Sequence, residues 1–195
     1  MTSHYYSETP EKESTEHEIE ISFRDKRYHF ISDNSVFSKN KIDHGSKILL
    51  ETVIDELQGN VLDFGCGYGP IGIIIREERG LDVTMSDVNE RAVSLAVKNA
   101  KLNGKKVHVK KSDGFTNVEG TFGSILMNPP IRIGKERIYS FFREAKDYLQ
   151  EGGSLYIVIQ KKQGAKSALS YLETIYSDVK TLNREAGYHI YKCTP

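Results

Sequence analysis

The sequence predicts an α/β fold in which helices cover both faces of a mostly parallel seven-stranded sheet with one antiparallel strand. Strand-like and helix-like segments alternate from residue 60 onward, as in a doubly wound sheet. The last two strand-like runs are separated only by Glu185 and Ala186, which is too short for a parallel crossover, so they are expected to be antiparallel neighbours. The predicted strands lie at 60–63, 82–87, 106–110, 122–128, 154–160, 178–184 and 187–192, and the predicted helices at 71–79, 89–103, 135–149 and 165–176.

A small N-terminal β-hairpin and one further helix are predicted ahead of this sheet. Apolar and polar residues alternate at 19–23 and again at 28–30, on either side of a polar segment at 24–27. Residues 43–58 carry apolar side chains at helical spacing, which predicts a helix. If this helix packs beside the first strand of the sheet, its start, which carries Asp43, Gly45 and Ser46, is expected to lie close to the loop after that strand.

Length and composition predict one ordinary domain. The 195 residues are divided into a leader and hairpin over 1–35 and a core over 36–195. The apolar fraction of 38% and the charged fraction of 28% are typical of soluble proteins. No apolar run is long enough for a membrane span and no export signal is evident, so a cytoplasmic location is expected. Cys66 lies in a glycine loop where a disulfide would block a ligand, so Cys66 and Cys193 are expected to be free thiols, and no metal site is predicted.

The net charge of zero conceals an asymmetry along the chain. Residues 1–20 contain six acids and one base, which is a charge of −5, and the remaining residues carry a charge of +5. An acidic leader on a mildly basic body is compatible with a nucleic-acid partner without establishing one. The lysines between residues 98 and 111 are interpreted as a solvated face that can also contact phosphates.

The segment 61–70 predicts a ligand site at the end of the first strand of the sheet. Three glycines, Gly65, Gly67 and Gly69, follow a buried strand and precede a helix, which lets backbone N–H groups approach a ligand closely. The run from Gly67 also matches the dinucleotide-binding pattern, with Asp87 20 residues later, so a nicotinamide-dependent oxidoreductase stays open. Asp63 argues against it, because a carboxylate there repels a pyrophosphate and suits an ammonium or sulfonium group.

This segment resembles motif I of the class I S-adenosylmethionine-dependent methyltransferases. The resemblance implies that S-adenosyl-L-methionine is the cofactor and that its methionine end lies at Asp63 and the glycine loop, its ribose at Asp87, which ends the second strand, and its adenine at Asp113, which follows the third. The residues assigned to the cofactor in this way are Asp63, Gly65, Cys66, Gly67, Gly69, Asp87, Val88, Asp113, Gly114 and Asn128.

The segment Asn128-Pro129-Pro130 resembles motif IV of methyltransferases that act on an exocyclic or amide nitrogen. It follows the fourth strand, and ligand sites in open parallel sheets lie at such carboxyl ends. The lone pair of an aromatic amine is delocalised, and the Asn128 side-chain carbonyl and the Pro129 backbone carbonyl can each accept one of its N–H groups. The nitrogen then becomes tetrahedral, with its lone pair free to attack. Two prolines fix the backbone before the substrate arrives.

A narrower resemblance is to the guanine-N2 family of ribosomal RNA small subunit methyltransferase C. It covers roughly residues 20–195 and rests on the sequences at 36–39, 43–46, 47–51, 63–72 and 128–132. Long members of that family have two tandem halves, and this chain resembles the catalytic half alone. The resemblance implies methylation of N2 of a guanine in small-subunit ribosomal RNA, with that RNA or the small ribosomal subunit as the partner.

The residues that contact the target base are predicted less directly. Ile131 follows Asn-Pro-Pro at a position where related nitrogen methyltransferases often have an aromatic ring that stacks on a flipped base. Arg132 and Phe37 are therefore the candidates for stacking, together with the apolar surface of Ile131. Cys66 has no base placed beside it, which argues against a nucleophile, and His44 is interpreted as a polar residue at a helix start.

Three alternatives stay open at this point. Asn-Pro-Pro also serves protein glutamine and adenine N6, so the same fold can methylate either of those planar amines. The nicotinamide-dependent oxidoreductase is an alternative from another class, and an RNA-binding module with a vestigial cofactor site is a third. The sequence does not predict the oligomeric state.

Overall fold

The computed structural model describes residues 15–34, 36 and 41–195, and at residue 131 the backbone alone. Within this part of the chain, seven strands form one sheet in the order β5-β4-β3-β6-β7-β9-β8. The strands are β3 (Val61–Phe64), β4 (Val83–Asp87), β5 (His108–Lys111), β6 (Phe122–Met127), β7 (Leu149–Gln160), β8 (Asp178–Glu185) and β9 (Tyr188–Thr194). Strand β9 pairs antiparallel with both β7 and β8, and the other described pairs in the sheet are parallel. The predicted fold class, with one reversed strand, is confirmed.

Five α-helices cover the sheet from both faces. They are α1 (His44–Val53), α2 (Pro70–Arg79), α3 (Glu90–Leu102), α4 (Lys135–Ala145) and α5 (Ala165–Ile175). Successive side chains of a strand point to opposite faces, so Val61 enters one apolar core and Leu62 the other. Helices α1, α2 and α3 supply the first core, and α4 and α5 supply the second. The sheet is thus the middle of three layers, and its carboxyl edge is left uncovered between the helices.

The predicted N-terminal hairpin is also confirmed and is longer than expected. It consists of β1 (Glu16–Phe23) and β2 (Lys26–Asp33), which form a separate two-stranded antiparallel sheet. Asn99 of α3 attaches it to the core, because its side chain donates to the Ile31 carbonyl over 2.9 Å and accepts from the Ile31 N–H over 2.7 Å. The same Nδ2 donates to the Tyr68 carbonyl in the glycine loop over 2.8 Å. The hairpin, α3 and the glycine loop therefore meet at one buried amide.

Some predicted boundaries were wrong. Strand β7 begins at Leu149, five residues before its predicted start, because Leu149 already pairs with Phe122 across a register shift. Gly153 fits close to the neighbouring strand, because a side chain there would meet backbone oxygens of β6 at 2.9–3.1 Å. Helix α4 ends at Ala145 and continues as a 3-10 turn over Lys146–Tyr148. In the described part of the chain, none of the helices combines the length and apolar character that crossing a bilayer requires.

Candidate active site

A cavity of about 310 Å³ opens at the carboxyl edge of β3, β4 and β6, where the sequence predicted a ligand site. Its volume is within the usual range for a small-molecule site. Most residues assigned from the sequence line it: Asp63, Gly65, Cys66, Gly67, Asp87, Val88, Asp113, Gly114, Asn128 and Pro130. Gly69 and Pro129 do not line it, and neither does Arg132, which is exposed on the 3-10 turn Ile131–Ile133. Phe37 and the side chain of Ile131 lie outside the described residues.

The glycine loop forms the floor of this cavity with backbone alone. Gly65 and Gly67 have φ angles of +75° and +57°, and a Cβ placed on either would point into open space. Because both residues line the cavity, a side chain at either position would occupy room that a ligand can use. Gly69 instead starts α2 as its N-cap, and Gly72 lets α2 approach β4, since a Cβ there would lie 2.5 Å from the Met85 sulfur.

Asp63 is a buried carboxyl at the end of β3. It is 3% exposed, and its Oδ2 accepts the Gly72 N–H over 2.9 Å. Burial raises the pKa of Asp63 to about 7, the Gly72 hydrogen bond opposes that rise, and the charge of Asp87 adds to it. A group with this pKa is partly protonated near neutral pH. A cationic ligand at the cavity therefore favours its ionised form.

Asp87 holds the neighbouring part of the loop. Its Oδ2 accepts the Gly67 N–H over 2.8 Å and its Oδ1 accepts the Asn89 N–H over 2.9 Å. Burial raises the pKa of Asp87, and these backbone hydrogen bonds oppose the rise. Each carboxylate oxygen has a second acceptor position. Asp87 can thus position the glycine loop and still accept a pair of hydroxyl groups.

The end of the cavity near β5 contains an ion pair that was not predicted. Arg137 of α4 donates to Oδ1 of Asp113, and both residues line the cavity. The Arg137 guanidinium lies 5.3 Å from the ring centre of Phe141, and a Cβ on Gly114 would lie 2.7 Å from the same ring. Helix α4 therefore forms a wall beside Asp113 and Gly114. Nothing in the sequence marks Arg137, because it lies outside the recognised motifs and its partner Asp113 is 24 residues earlier in the chain.

Asn128 is held in a single orientation by Asp43, the N-cap residue of α1, and by Ser46 within that helix. Its Nδ2 donates to Asp43 Oδ2 and to Ser46 Oγ, each over 2.9 Å. A carboxylate only accepts hydrogen bonds, so the NH2 group of Asn128 must be the part of the amide that faces Asp43. Within the described part of the chain no donor reaches the Asn128 Oδ1. The side-chain carbonyl is the amide atom left for a ligand in the cavity.

Asp43 owes its position to the start of α1. It is the N-cap residue, and the same Oδ2 that binds Asn128 accepts the Ser46 N–H over 3.0 Å. Asp43 and Ser46 line the cavity together with Gly65 and Gly67, which confirms that this helix start lies beside the glycine loop. The hydrogen bond to Asn128 was not predicted. Its partners are 85 residues apart and meet only because α1 packs against β7 and β9 beside the end of β6.

The two prolines after Asn128 fix the backbone at this edge. Pro129 is buried, and no described N–H or side-chain donor binds its carbonyl. The Pro130 carbonyl accepts the Ile133 N–H over 3.1 Å, which closes a 3-10 turn, and Pro130 and Ile133 both line the cavity. The loop thus leaves the Asn128 side-chain carbonyl free at the cavity, and the carbonyl of the next residue, Pro129, is unpaired although that residue does not line the cavity.

Two other polar groups of the glycine loop are buried. Burial raises the pKa of the Cys66 thiol and the charges of Asp87 and Asp63 raise it further, which is unfavourable for a nucleophile. Both cysteines are free.

Tyr68 is 2% exposed, and its hydroxyl has no hydrogen-bond partner in the described structure, although the residue lines the cavity. An unpaired buried hydroxyl is uncommon in a folded protein. Among the described residues there is no cluster of three His, Cys, Asp or Glu side chains suited to a metal ion.

The model of the methyltransferase small domain family matches residues 27–192. The chain belongs to this family. The assignment confirms the resemblance to class I S-adenosylmethionine-dependent methyltransferases, and S-adenosylmethionine is the cofactor of the enzyme. The carboxylates and the open glycine loop fit such a ligand, which carries an ammonium group, two ribose hydroxyls and a purine.

Two curated relatives, one of similar length and one about twice as long, show how the chain compares with known proteins. It is 44% identical over 197 residues to the uncharacterized protein YbxB of Bacillus subtilis, with 98% of each chain covered. It is 36% identical over 164 residues to the ribosomal RNA small subunit methyltransferase C of Aeromonas hydrophila, covering 80% of this chain and 46% of that protein. The chain therefore spans about half the length of this second relative.

The fold is shared with solved methyltransferase structures. A 16S rRNA N2 methyltransferase (RsmC) of T. thermophilus, in complex with AdoMet and guanosine, superposes with a TM-score of 0.83 at 24% identity. The match covers 95% of this chain and 52% of that one. A methyltransferase from Pyrococcus furiosus superposes with a TM-score of 0.65 at 25% identity, covering 76% of this chain and 81% of the other. Both comparisons agree with the predicted sheet.

Proposed function

We propose that this S-adenosylmethionine-dependent methyltransferase methylates the exocyclic N2 of a guanine in small-subunit ribosomal RNA, in the cytoplasm. The observation that carries the proposal is the orientation of the Asn128 amide. Its NH2 group donates to Asp43 and Ser46, and its carbonyl is left free at the cavity. An acceptor held in this way suits a substrate that brings an N–H donor, and an exocyclic amine is such a group.

The cofactor side of the cavity provides the residues that would hold S-adenosylmethionine. Asp63 and the backbone of Gly65 and Gly67 suit its methionine end, Asp87 its ribose, and Asp113 with Gly114 the adenine. When bound, the cofactor supplies an electrophilic methyl group on a sulfonium.

The substrate side provides the acceptors for the amine. The Asn128 carbonyl and the Pro129 carbonyl would each accept one N–H group, which favours a tetrahedral nitrogen with its lone pair directed away from both acceptors. Asp43 and Ser46 contribute by preventing the Asn128 amide from rotating, so the acceptor needs no rearrangement during the reaction. No strong base is required, because the proton on the nitrogen becomes acidic only as the new bond forms.

Guanine N2 is favoured over the other planar amines by the named relatives. The A. hydrophila relative is called a ribosomal RNA small subunit methyltransferase, and the T. thermophilus structure is titled a 16S rRNA N2 methyltransferase. Asn-Pro-Pro by itself also suits protein glutamine and adenine N6. The geometry of Asn128 supports all three substrates equally, so the choice among them depends on the experiment below.

The test is methyl transfer from tritiated S-adenosylmethionine to competing substrates. Purified protein is offered small ribosomal subunits, naked small-subunit RNA, a protein extract and DNA, and the labelled RNA is digested to nucleosides for mass spectrometry. We expect the label in RNA as N2-methylguanosine. Label in protein, or N6-methyladenosine as the labelled nucleoside, would overturn the proposed substrate while leaving the enzyme class intact.

A further inference from the structure

About half of the described lysine and arginine side chains make an ion pair, and several of the others lie near the start of α5. Five unpaired cations surround the start of α5, and these residues are defined here as the α5-edge surface: Lys135, Lys161, Lys162, Lys166 and Arg184. No described carboxylate lies within 4.0 Å of any of them, whereas Lys98 of α3 and Lys105, which follows that helix, are paired with Glu16 and Glu77. Their charges therefore remain available to an external anion.

The contacts of the polypeptide bring two parts of this surface together. The Lys161 N–H donates to the Gly187 carbonyl over 2.7 Å, which joins the segment after β7 to the turn between β8 and β9. The pKa of His189 is lowered by burial and then by the charges of Arg184 and Lys161, so both cations lie near the same imidazole ring. Lys161 and Arg184 thus belong to one electropositive region, although 22 residues separate them along the chain.

Helix α4 contributes Lys135, the third part of the α5-edge surface. The Lys135 Nζ lies 5.1 Å from the ring centre of Tyr139, and that ring stacks on Tyr171 of α5 at 4.2 Å. The Tyr139 hydroxyl is 2.9 Å from Ser167 Oγ, in the same turn of α5 as Lys166. Lys135 therefore lies beside the start of α5, and the unpaired cations form a continuous band.

This band adjoins the candidate active site. Tyr188 pairs with Gln160, the residue before Lys161, and so connects the α5-edge surface to α1. The Tyr188 ring lies 2.8 Å from the place that a Cβ of Gly45 would take, and the charge of Asp43 adds to the effect of burial in raising the pKa of Tyr188. Asp43 is the residue that holds Asn128. The α5-edge surface is thus connected, through Tyr188 and the start of α1, to the acceptor amide.

We propose that the α5-edge surface binds the sugar–phosphate backbone of the RNA next to the target nucleotide. The inference rests on the proposed function and adds the path of the RNA across the protein. Unpaired cations on one face are what a phosphate backbone requires, because binding then releases condensed counterions without breaking ion pairs within the protein.

The test compares two charge reversals of equal size. Lys162→Glu with Lys166→Glu alters the α5-edge surface, and Lys101→Glu with Lys106→Glu alters two exposed, unpaired lysines on and after α3. Each pair of substitutions changes the net charge by the same amount, and none of the four residues lines the cavity. The probe is a labelled transcript of small-subunit ribosomal RNA, and its affinity is measured by fluorescence anisotropy with S-adenosylhomocysteine present. Calorimetry with S-adenosylhomocysteine verifies that each variant is folded.

We expect the α5-edge variant to lose at least tenfold in RNA affinity at about 0.1 M salt, with a loss under threefold in the α3 variant. The slope of log affinity against log salt should fall by about 1.5 in the α5-edge variant, since each lost phosphate contact removes about 0.7 to 0.9. Equal losses in the two variants, or no loss in either, would overturn the inference. So would binding of anionic lipid vesicles or an acidic protein by these cations in the absence of RNA binding.

Because this assay measures binding without turnover, its result is separable from that of the methyl-transfer test. A protein that methylates guanine N2 in RNA but binds RNA equally well in both variants would keep the proposed function and lose the proposed surface. A protein whose RNA binding depends on the α5-edge surface but whose methyl acceptor is not RNA would keep the surface and lose the proposed function.

Discussion

The two sides of the cavity are held in place by contacts of very different range. On the cofactor side, Asp63 binds the N–H of Gly72 nine residues away and Asp87 binds that of Gly67 20 residues away. On the substrate side, Asn128 depends on Asp43, 85 residues before it. The cofactor side is therefore built within one strand–loop–helix unit and its neighbouring strand, and the substrate side exists only after α1 has packed against the far part of the sheet.

The two sides also differ in electrostatics. The cofactor side places two carboxyls with raised pKa values around a glycine loop, so its affinity for a cationic ligand depends on their protonation. The substrate side offers neutral carbonyl acceptors whose usefulness depends on orientation alone. We therefore expect substitutions on the two sides to separate ligand affinity from turnover, and the predictions below are ordered by the size of their effect on the reaction.

The largest effect is expected for Asn128→Ala. It removes the free side-chain carbonyl and leaves the glycine loop, Asp63 and Asp87 unchanged. Turnover in the tritiated-methyl assay should fall at least tenfold, because a fixed polar group at the reacting atom typically contributes 10²–10³ in rate. The affinity for S-adenosylhomocysteine, measured by calorimetry, should change less than threefold. Unchanged turnover would remove Asn128 from the reaction and with it the contrast between the two sides.

The next effect concerns the pH dependence of ligand binding at Asp63. Its pKa of about 7 lies above that of an ordinary aspartate, so the group is protonated at pH 5.5 and mostly ionised at pH 7.5. S-adenosylhomocysteine has no sulfonium but keeps an ammonium group, and that cation prefers the ionised form of Asp63, so the affinity should rise about tenfold as the pH increases across this range and should level off above it. Calorimetry at a series of pH values measures this rise.

Asp63→Asn is the matched control, because its side-chain oxygen can still accept the Gly72 N–H. The variant should bind more weakly at pH 7.5 and should show little change in affinity with pH. The same pH dependence in both proteins would show that another group titrates and that Asp63 does not sense the charge of the ligand.

A smaller effect is expected at Asp43, the positioning residue for Asn128. Asp43→Ser keeps an N-cap for α1 but is too short to reach Asn128, so kcat should fall about three- to tenfold with little change in S-adenosylhomocysteine affinity. Asp43→Asn retains an oxygen that can accept from both Ser46 and Asn128, and it should keep more than half of the activity. If Asp43→Asn lost as much activity as Asp43→Ser, the carboxylate charge and not the hydrogen bond would be responsible.

The smallest effect on the reaction is expected at Asn99, which stabilises the fold on the cofactor side. Asn99→Ala leaves the partly buried N–H and carbonyl of Ile31 and the buried carbonyl of Tyr68 unpaired, which should reduce the free energy of unfolding by about 3 kcal/mol. Urea unfolding measures this loss. Asn103→Ala removes exposed hydrogen bonds of the same helix and should cost less than about 1 kcal/mol. A loss in Asn103→Ala as large as in Asn99→Ala would contradict the role given to the buried amide.

The same difference in range explains which features could be predicted from the sequence. The glycine loop, Asp63 and Asp87 belong to one compact motif, and the alternation of strands and helices was sufficient to predict the sheet and its reversed strand. Asn128 was found because it begins a short motif of its own. Its hydrogen bond to Asp43 could not be found, because the order of the strands, which was not predicted, decides which segments meet at the carboxyl edge.

The remaining differences have similar causes. Arg137 reaches Asp113 because α4 lies across the end of the cavity, and Asn99 joins the hairpin to the glycine loop through contacts 68 and 31 residues apart in the chain. Arg132 was expected to face the substrate, but its side chain is exposed and does not line the cavity. The 3-10 turn after Pro130 places Ile133, and not Arg132, in the cavity lining. A contact of Arg132 with RNA outside the cavity stays a prediction.

The central claim is that the Asn128 amide is fixed with its carbonyl toward the acceptor nitrogen. A crystal structure of the protein with S-adenosylhomocysteine and guanosine tests it most directly. We expect the Asn128 Oδ1 within about 3 Å of the exocyclic N2 of guanosine and its Nδ2 still bound to Asp43. An Asn128 amide rotated so that its NH2 group faces the guanine, or released from Asp43 with its carbonyl away from the cavity, would contradict the claim.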